Sequence, residues 1–242
     1  MTTETTIELD GVDAGYGQNQ VLHDLTMAVK PGRVNTIIGP NGSGKSTALK
    51  TINGLVPVWS GTVHVLGQDV TDASPRDIVD MGVITVPQGG GVFPEMTVRE
   101  NLRMGAYLES DGDVIRARFD EVFEMFPVLE ERQEQLAGAL SGGQQAMLSL
   151  GRGIMPDPEF LLLDEPSVGL APNLIDDVFE HLETLKRSGV DMLLIEQNVR
   201  KVLDIADYVY VLDQGCVTFE GEQDELRDED ELIEMYLGRR SA

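Results

Sequence analysis

The sequence predicts an α/β fold that combines a core of buried strands, an antiparallel β subdomain and an inserted α-helical subdomain. Short, largely apolar runs at 34–38, 160–163 and 192–195 are typical of strands buried on both faces. Alternating apolar and polar residues near the N-terminus indicate antiparallel strands with one buried face. Between 89 and 155 the apolar residues recur at helical spacing, without a strand pattern.

The length of 242 residues fits one large domain and is short for two complete ones. We therefore predict a single domain over 1–242. Within it, 1–88 and 156–242 form the α/β core, and 89–155 form the helical subdomain.

The first predicted elements are the alternating strands at 7–9 and 25–29. Tyr16 lies between them, and its neighbours Gly15 and Gly17 indicate a loop. Its flat ring is suited to stacking on a nucleobase. The alternative is an ordinary loop tyrosine.

A phosphate-binding loop follows the strand at 34–38 and precedes a predicted helix, which is the context that this motif requires. Its glycines allow backbone N–H groups to point at phosphate oxygens, Lys45 can reach the β- and γ-phosphates, and the Ser46 hydroxyl can hold Mg²⁺. A glycine-rich surface loop is the alternative. The motif consists of Gly39, Pro40, Asn41, Gly42, Ser43, Gly44, Lys45, Ser46 and Thr47.

The middle of the chain begins with a strand at 83–88, which ends at Gln88, and a glycine run at 89–91 that we predict to be a hinge. The spacing of Thr97 and Glu100 fits a capping box at the start of a helix. A second capping box lies further on, where two glycines at a helix N-terminus offer another anion site, which a second subunit could present. This segment contains Ser141, Gly142, Gly143 and Gln144.

Two carboxylates close the apolar strand at 160–163. Ligands of open α/β sheets bind at the carboxyl ends of the strands, which is where Asp164 and Glu165 are expected. Asp164 could help to hold Mg²⁺, and Glu165 could activate the attacking water. Beyond them the pattern predicts a helix at 172–185 and a strand at 192–195.

The net charge is −24, from 18 basic and 42 acidic residues. This charge argues against nucleic acid as a general partner, because phosphate backbones are bound by Lys and Arg clusters. The acids are spread along the whole chain, so we hypothesise a protein adapted to the salty cytoplasm of a halophile.

Cys216 is the only cysteine, which fits a reducing cytoplasm. The first residues lack the charged start and the apolar stretch of a signal peptide, and no apolar run approaches the roughly 20 residues that span a bilayer. Any membrane role is therefore expected to be peripheral.

Several motifs occur in the order and spacing of one known family: Tyr16, the loop at 39–47, Gln88, the segment 140–144, Asp164 with Glu165, and Ser167. In this combination the chain resembles the nucleotide-binding domain of ABC transporters over nearly its full length. The resemblance implies a P-loop NTPase (RecA-like) core that binds ATP and Mg²⁺. It also implies that Tyr16 contacts adenine, that Gln88 links Mg²⁺ to a transmembrane permease, and that Glu165 is the catalytic base. Ser141 and Gly143 would hold the γ-phosphate across a dimer.

The segments 86–94, 100–107 and 169–172 are more specifically similar to the ATPase subunits of branched-chain amino acid importers. Such a subunit would work at the cytoplasmic face of the membrane with permease subunits, a second ATPase subunit and, indirectly, a substrate-binding protein. Gln197 stands where most ABC ATPases have His, and its amide can donate to the γ-phosphate without carrying charge. Alternatives are a urea or amide importer, and a soluble ABC ATPase outside transport.

Overall fold

The computed structural model describes residues 6–89 and 91–227. Its strands are β1 (Ile7–Tyr16), β2 (Asn19–Val29), β3 (Val34–Ile38), β4 (Val58–Val65), β5 (Gln68–Asp69), β6 (Val83–Val86), β7 (Phe160–Asp164), β8 (Asp191–Ile195), β9 (Tyr208–Asp213) and β10 (Cys216–Glu222). Its helices are α1 (Lys45–Ile52), α2 (Pro75–Asp80), α3 (Val98–Gly105), α4 (Gly112–Met125), α5 (Pro127–Glu131), α6 (Gly142–Ile154), α7 (Pro172–Arg187), α8 (Val199–Ile205) and α9 (Gln223–Arg227).

The chain packs into two compact units, and the first is built from both ends of the described sequence, up to Met81 and from Asp191 onwards. One of its sheets is antiparallel, in the order β2, β1, β4, β5. Ile7 and Leu9 are buried in β1 while Glu8 and Asp10 are exposed, because successive side chains of a strand point to opposite faces.

The second sheet of this unit has β3 between β9 and β8, with all three strands parallel, and β10 pairs antiparallel with β9. Every residue of β3 is buried, as expected for a strand between two others. The loop at 39–47 therefore leaves the carboxyl end of a fully paired strand.

The second unit spans 82–190 and holds the parallel pair of β6 and β7 with helices α3 to α7. Glycines let α6 pack closely in this unit. A Cβ at Gly153 would lie 2.7 Å from Val86, and a Cβ at Gly151 would lie 2.9 Å from Val122. Helix α6 is thus held tightly against its neighbours.

The predicted α/β fold is confirmed, with its antiparallel β part and a helical stretch between β6 and β7. The prediction that Tyr16 lies in a loop was wrong. Tyr16 is the last residue of β1, because β1 and β2 continue to a tight turn at Gly17 and Gln18. Gly90 of the predicted hinge and the acidic segment from Asp228 lie outside the described residues.

Candidate functional site

The backbone of the phosphate loop has conformations that favour glycine. The φ angles are 152° at Gly39, 84° at Gly42 and 105° at Gly44. A Cβ at Gly39 would also lie 2.1 Å from the carbonyl oxygen of Leu212, so no larger residue fits there.

Three polar side chains of this loop are buried, those of Ser43, Lys45 and Thr47. Ser43 Oγ has no hydrogen-bond partner among the residues that the structure describes. Lys45 is 5% exposed, and its Nζ donates to the carbonyl oxygens of Gly39 at 2.9 Å and Pro40 at 3.0 Å. Helix α1 starts here without a side-chain cap, so the loop presents donors suited to an anion.

The first unit also contains Tyr16 and Gln197. Tyr16 is 49% exposed, which leaves its ring accessible to a planar ligand. Gln197 follows β8, and the buried Glu196 accepts from the backbone N–H of Gln197 at 3.0 Å and of Asn198 at 3.4 Å. Glu196 therefore fixes the backbone that carries Gln197.

In the second unit, Gln88 contacts the predicted catalytic base. Asp164 ends β7 and Glu165 follows it, and both carboxylates are buried, at 8% and 5% exposure. Gln88 Nε2 donates to Glu165 Oε2 at 2.7 Å. Glu165 has a φ of 49°, a left-handed conformation that is costly for a residue with a Cβ and that recurs at functional sites.

The predicted second anion site lies at the start of α6. Ser141 accepts from the N–H of Gln144 at 3.3 Å, and Gln144 Oε1 accepts from the N–H of Ser141 at 3.1 Å, which is the predicted capping box. A Cβ at Gly143 would lie 2.8 Å from the Leu174 side chain. Ser141 and Gly142 are exposed, so a ligand can approach this helix end.

The predicted site residues divide between the two units. Tyr16, the loop at 39–47 and Gln197 belong to the first unit, and the others belong to the second: Gln88, Ser141, Gly142, Gly143, Gln144, Asp164 and Glu165. The oxygen donors of Ser46, Gln88 and Asp164 are chemically suited to Mg²⁺. Because Gln88 uses its amide nitrogen towards Glu165, its Oε1 is the atom able to coordinate a cation.

Sequence reasoning did not assign roles to Glu196 and Asn101. Glu196 supports the backbone at Gln197, and its signal was an acid directly after a buried strand. Asn101 is fully buried in α3, where its side chain bonds to a preceding turn. An amide on the apolar face of a helix was the available signal.

The chain matches the protein family described as ABC transporter over residues 22–168. It is 42% identical over 232 residues to the high-affinity branched-chain amino acid transport ATP-binding protein BraG of Pseudomonas aeruginosa, covering 96% of this chain and 99% of that protein. It is 35% identical over 228 residues to the probable branched-chain amino acid transport ATP-binding protein LivF of Archaeoglobus fulgidus, covering 94% and 96% of the two chains.

Solved structures agree with this relationship. The chain is similar to an ATP-binding cassette of an ABC transporter in its ADP conformation, with a TM-score of 0.85 and 30% identity over 97% of this chain and 99% of that one. It is equally similar to a nucleotide-free cassette, with a TM-score of 0.84 and 29% identity over 96% and 98% of the two chains. The chain belongs to the ABC transporter family, as one of its ATP-binding, ATP-hydrolysing subunits.

Proposed function

We propose that this chain is the ATP-hydrolysing subunit of an importer for branched-chain amino acids, bound peripherally at the cytoplasmic face of the membrane. The similarity to BraG, which extends over 96% of this chain, carries the proposal of substrate class. No helix within residues 6–89 and 91–227 combines the length and the apolar character that crossing a membrane requires. The relatives are ATP-binding proteins of transport systems, so permease subunits are proposed to supply the pathway through the membrane.

ATP binding is assigned to the loop at 39–47 and to Tyr16. The N–H groups of the loop and Lys45 would bind the phosphates, and Tyr16 would stack on adenine. Lys45 already donates to two carbonyl oxygens of its own loop, so phosphate would exchange with those acceptors. The orphaned Oγ of Ser43 fits the same ligand, because phosphate oxygens would accept the hydrogen bond that Ser43 lacks among the described residues.

Hydrolysis is assigned to Glu165 as catalytic base, with Ser46, Gln88 and Asp164 holding Mg²⁺. Bound Mg²⁺ would neutralise phosphate charge and orient the γ-phosphoryl group. The hydrogen bond from Gln88 orients the Glu165 carboxylate. Gln197 would donate to the γ-phosphate through a neutral amide, so its contribution should not vary with pH.

The subunit is proposed to act as a dimer that closes on two ATP molecules. Each closed site would take the loop at 39–47 from one chain and the segment 141–144 from the other. The relatives from Archaeoglobus fulgidus include both a LivF and a LivG protein, at 35% and 30% identity. Two different ATP-binding proteins for one substrate class in one organism favour a heterodimer with a related second subunit.

The contact with the permease is assigned to Val92 and Phe93, after the glycine run at 89–91. Phe93 is 42% exposed, so its apolar ring is accessible to a partner. The helical subdomain, assigned to 89–155, would carry this contact when ATP closes the dimer. A substrate-binding protein would act on the other side of the membrane.

The test is the rate of ATP hydrolysis in high-salt proteoliposomes that contain this chain with its co-purified permease subunits. Binding protein loaded with leucine should stimulate hydrolysis, whereas unloaded binding protein should not. The same assembly carrying Glu165→Gln is the control for contaminating ATPase. Stimulation by a urea-loaded binding protein instead would transfer the chain to urea import, and failure to co-purify with membranes would end the transport proposal.

A further inference from the structure

Arg152 lies in the last turn of α6 and reaches the segment that leads to Phe93. Its Cζ is 5.0 Å from the centre of the Phe93 ring, within the range of a cation–π contact. Its Nη2 would lie 3.4 Å from a Cβ at Gly91. The guanidinium therefore sits against both the backbone at Gly91 and the Phe93 ring.

The hydrogen bonding of the Arg152 guanidinium is incomplete among the described residues. Nη1 is buried and has no hydrogen-bond partner within residues 6–89 and 91–227, and burial lowers the pKa of the Arg152 side chain. A buried guanidinium nitrogen without an acceptor is costly for stability. Its place in the fold suggests a mechanical role.

The turn at 93–97, which we call the Phe93 turn, is attached to the helices on its other side by Asn101. The Asn101 side chain accepts from the N–H of Phe93 at 2.8 Å and donates to the carbonyl oxygens of Phe93 at 3.0 Å and Thr97 at 2.9 Å. Helix α3, which carries Asn101, is packed closely on α6, since a Cβ at Gly105 would lie 2.3 Å from the Arg152 carbonyl oxygen.

Helix α6 connects the Ser141 cap with the Phe93 turn. The helix begins at the Ser141 cap, where the γ-phosphate is proposed to bind, and ends beside the Phe93 turn. Thirteen helical residues span about 20 Å and move as one piece. Gln88 contacts Glu165 and lies before the glycine run, whereas the Phe93 turn lies after it.

We propose that Arg152 is a positioning residue that makes the Phe93 turn move together with α6. Binding of nucleotide at Ser141, at the start of α6, would in this way be transmitted to the permease through Phe93. The inference rests on the proposed function for its transport partner. Arg152 and Asn101 together join the Phe93 turn to the pair of helices α3 and α6.

The first test is hydrogen exchange of the full-length subunit carrying Glu165→Gln, with and without ATP and Mg²⁺. ATP should slow exchange both at 141–145 and at 91–97. With Arg152→Met added, protection at 141–145 should remain and protection at 91–97 should fall. Equal protection of both segments by ATP in the protein with Arg152→Met would overturn the proposal. An ATP effect confined to 141–145 in the protein with Glu165→Gln alone would also overturn it.

The second test uses the assembled transporter. Arg152→Met should lower the stimulation by loaded binding protein by about tenfold and leave unstimulated ATP hydrolysis within about twofold. Arg152→Lys, which keeps the cation but loses the planar contact, should restore part of the stimulation. The exposed Arg132 provides the matched control, Arg132→Met, which should behave as wild type.

The two proposals fail in different ways. If the wild-type transporter shows no stimulation, the proposed import function is wrong, and the exchange experiment still decides the role of Arg152. If wild type is stimulated and Arg152→Met is stimulated equally, the function stands and the inference about Arg152 falls.

Discussion

Several residues of the phosphate loop are arranged to bind a ligand, and this arrangement lowers the stability of the protein without the ligand. The loop buries the Ser43 hydroxyl, which has no partner within residues 6–89 and 91–227, and it needs positive φ angles at three glycines. A buried hydroxyl without a partner lowers the free energy of unfolding, and a bound phosphate would supply the acceptor that Ser43 lacks.

Ser43→Ala should therefore have opposite effects on the empty and the occupied protein. Without nucleotide the free energy of unfolding should rise by about 1 kcal/mol, because an unpaired buried hydroxyl is removed. ATP affinity should fall about tenfold, because the alanine cannot donate to phosphate. Thermal unfolding with and without ATP measures both effects, with Ser110→Ala, at an exposed position, as control. An unchanged shift with ATP would exclude phosphate as the partner of Ser43.

Glu165→Gln should reduce ATP hydrolysis by at least about 100-fold while ATP binding persists, since an amide cannot accept a proton from water. The dimer should then remain closed in ATP. Hydrolysis rates together with size-exclusion chromatography in ATP measure the two effects. The exposed Glu180 offers the control Glu180→Gln. Normal hydrolysis in the Glu165→Gln protein would refute the assignment of the base.

The residue types of the site can be predicted from the sequence because each belongs to a short motif with fixed spacing. Their contacts cannot be predicted in this way. Gln88 and Glu165 lie 77 residues apart, and only the parallel pairing of β6 with β7 brings the ends of those strands together. The unpaired state of Ser43 Oγ likewise depends on which atoms surround it.

Among the helices and turns, the features that depend on a few consecutive residues were predicted most reliably. The capping boxes at Thr97 and Ser141 are confirmed because each forms within four consecutive residues. The position of Tyr16 was wrong because glycines indicate a turn but do not give its length. Asn101 was missed as a structural contact because its partners lie in a turn without a pattern of its own.

Helix α7 carries a histidine whose titration should affect stability. The His181 ring packs edge-on against Phe126, with centroids 4.7 Å apart, and burial lowers the pKa of His181 below 6.5 although Glu180 and Asp177 oppose the shift. The unfolded chain then binds the proton more readily than the folded chain. The stabilisation is complete above the unfolded pKa and is lost as pH falls through 6.5 towards the folded pKa.

His181→Gln should remove this pH dependence. Between roughly pH 7 and 5.5, the wild-type protein should lose free energy of unfolding relative to the variant. Urea unfolding at several pH values measures the difference, with His23→Gln at an exposed position as control. A constant difference between wild type and His181→Gln across this range would contradict the prediction.

At the scale of the whole molecule, net charge is the dominant property. A net charge of −24 on 242 residues creates self-repulsion that disfavours the compact state, and salt screens it. The net charge follows completely from the amino-acid sequence. The sequence did not supply the order of strands, because apolar runs identify buried strands without naming their neighbours: β3 pairs with β8 and β9, both far along the chain.

The free energy of unfolding should therefore rise as KCl is increased from about 0.1 M to 2 M, since the Debye length falls from about 10 Å to a few ångströms. Chemical unfolding in urea at each salt concentration measures the effect. Sucrose at matched osmolarity controls for general exclusion of solutes. Full stability in dilute buffer would end the hypothesis of salt adaptation.

The construction of the first unit from both ends of the chain also has a consequence for biosynthesis. Strand β3 leaves the ribosome early, but its partner β8 follows about 160 residues later, a wait of roughly 10 to 30 s during translation. During that time β3, every residue of which is buried in the folded protein, has no neighbouring strand to pair with. The nascent subunit should consequently depend on a holding chaperone until residue 213, the end of β9, has emerged.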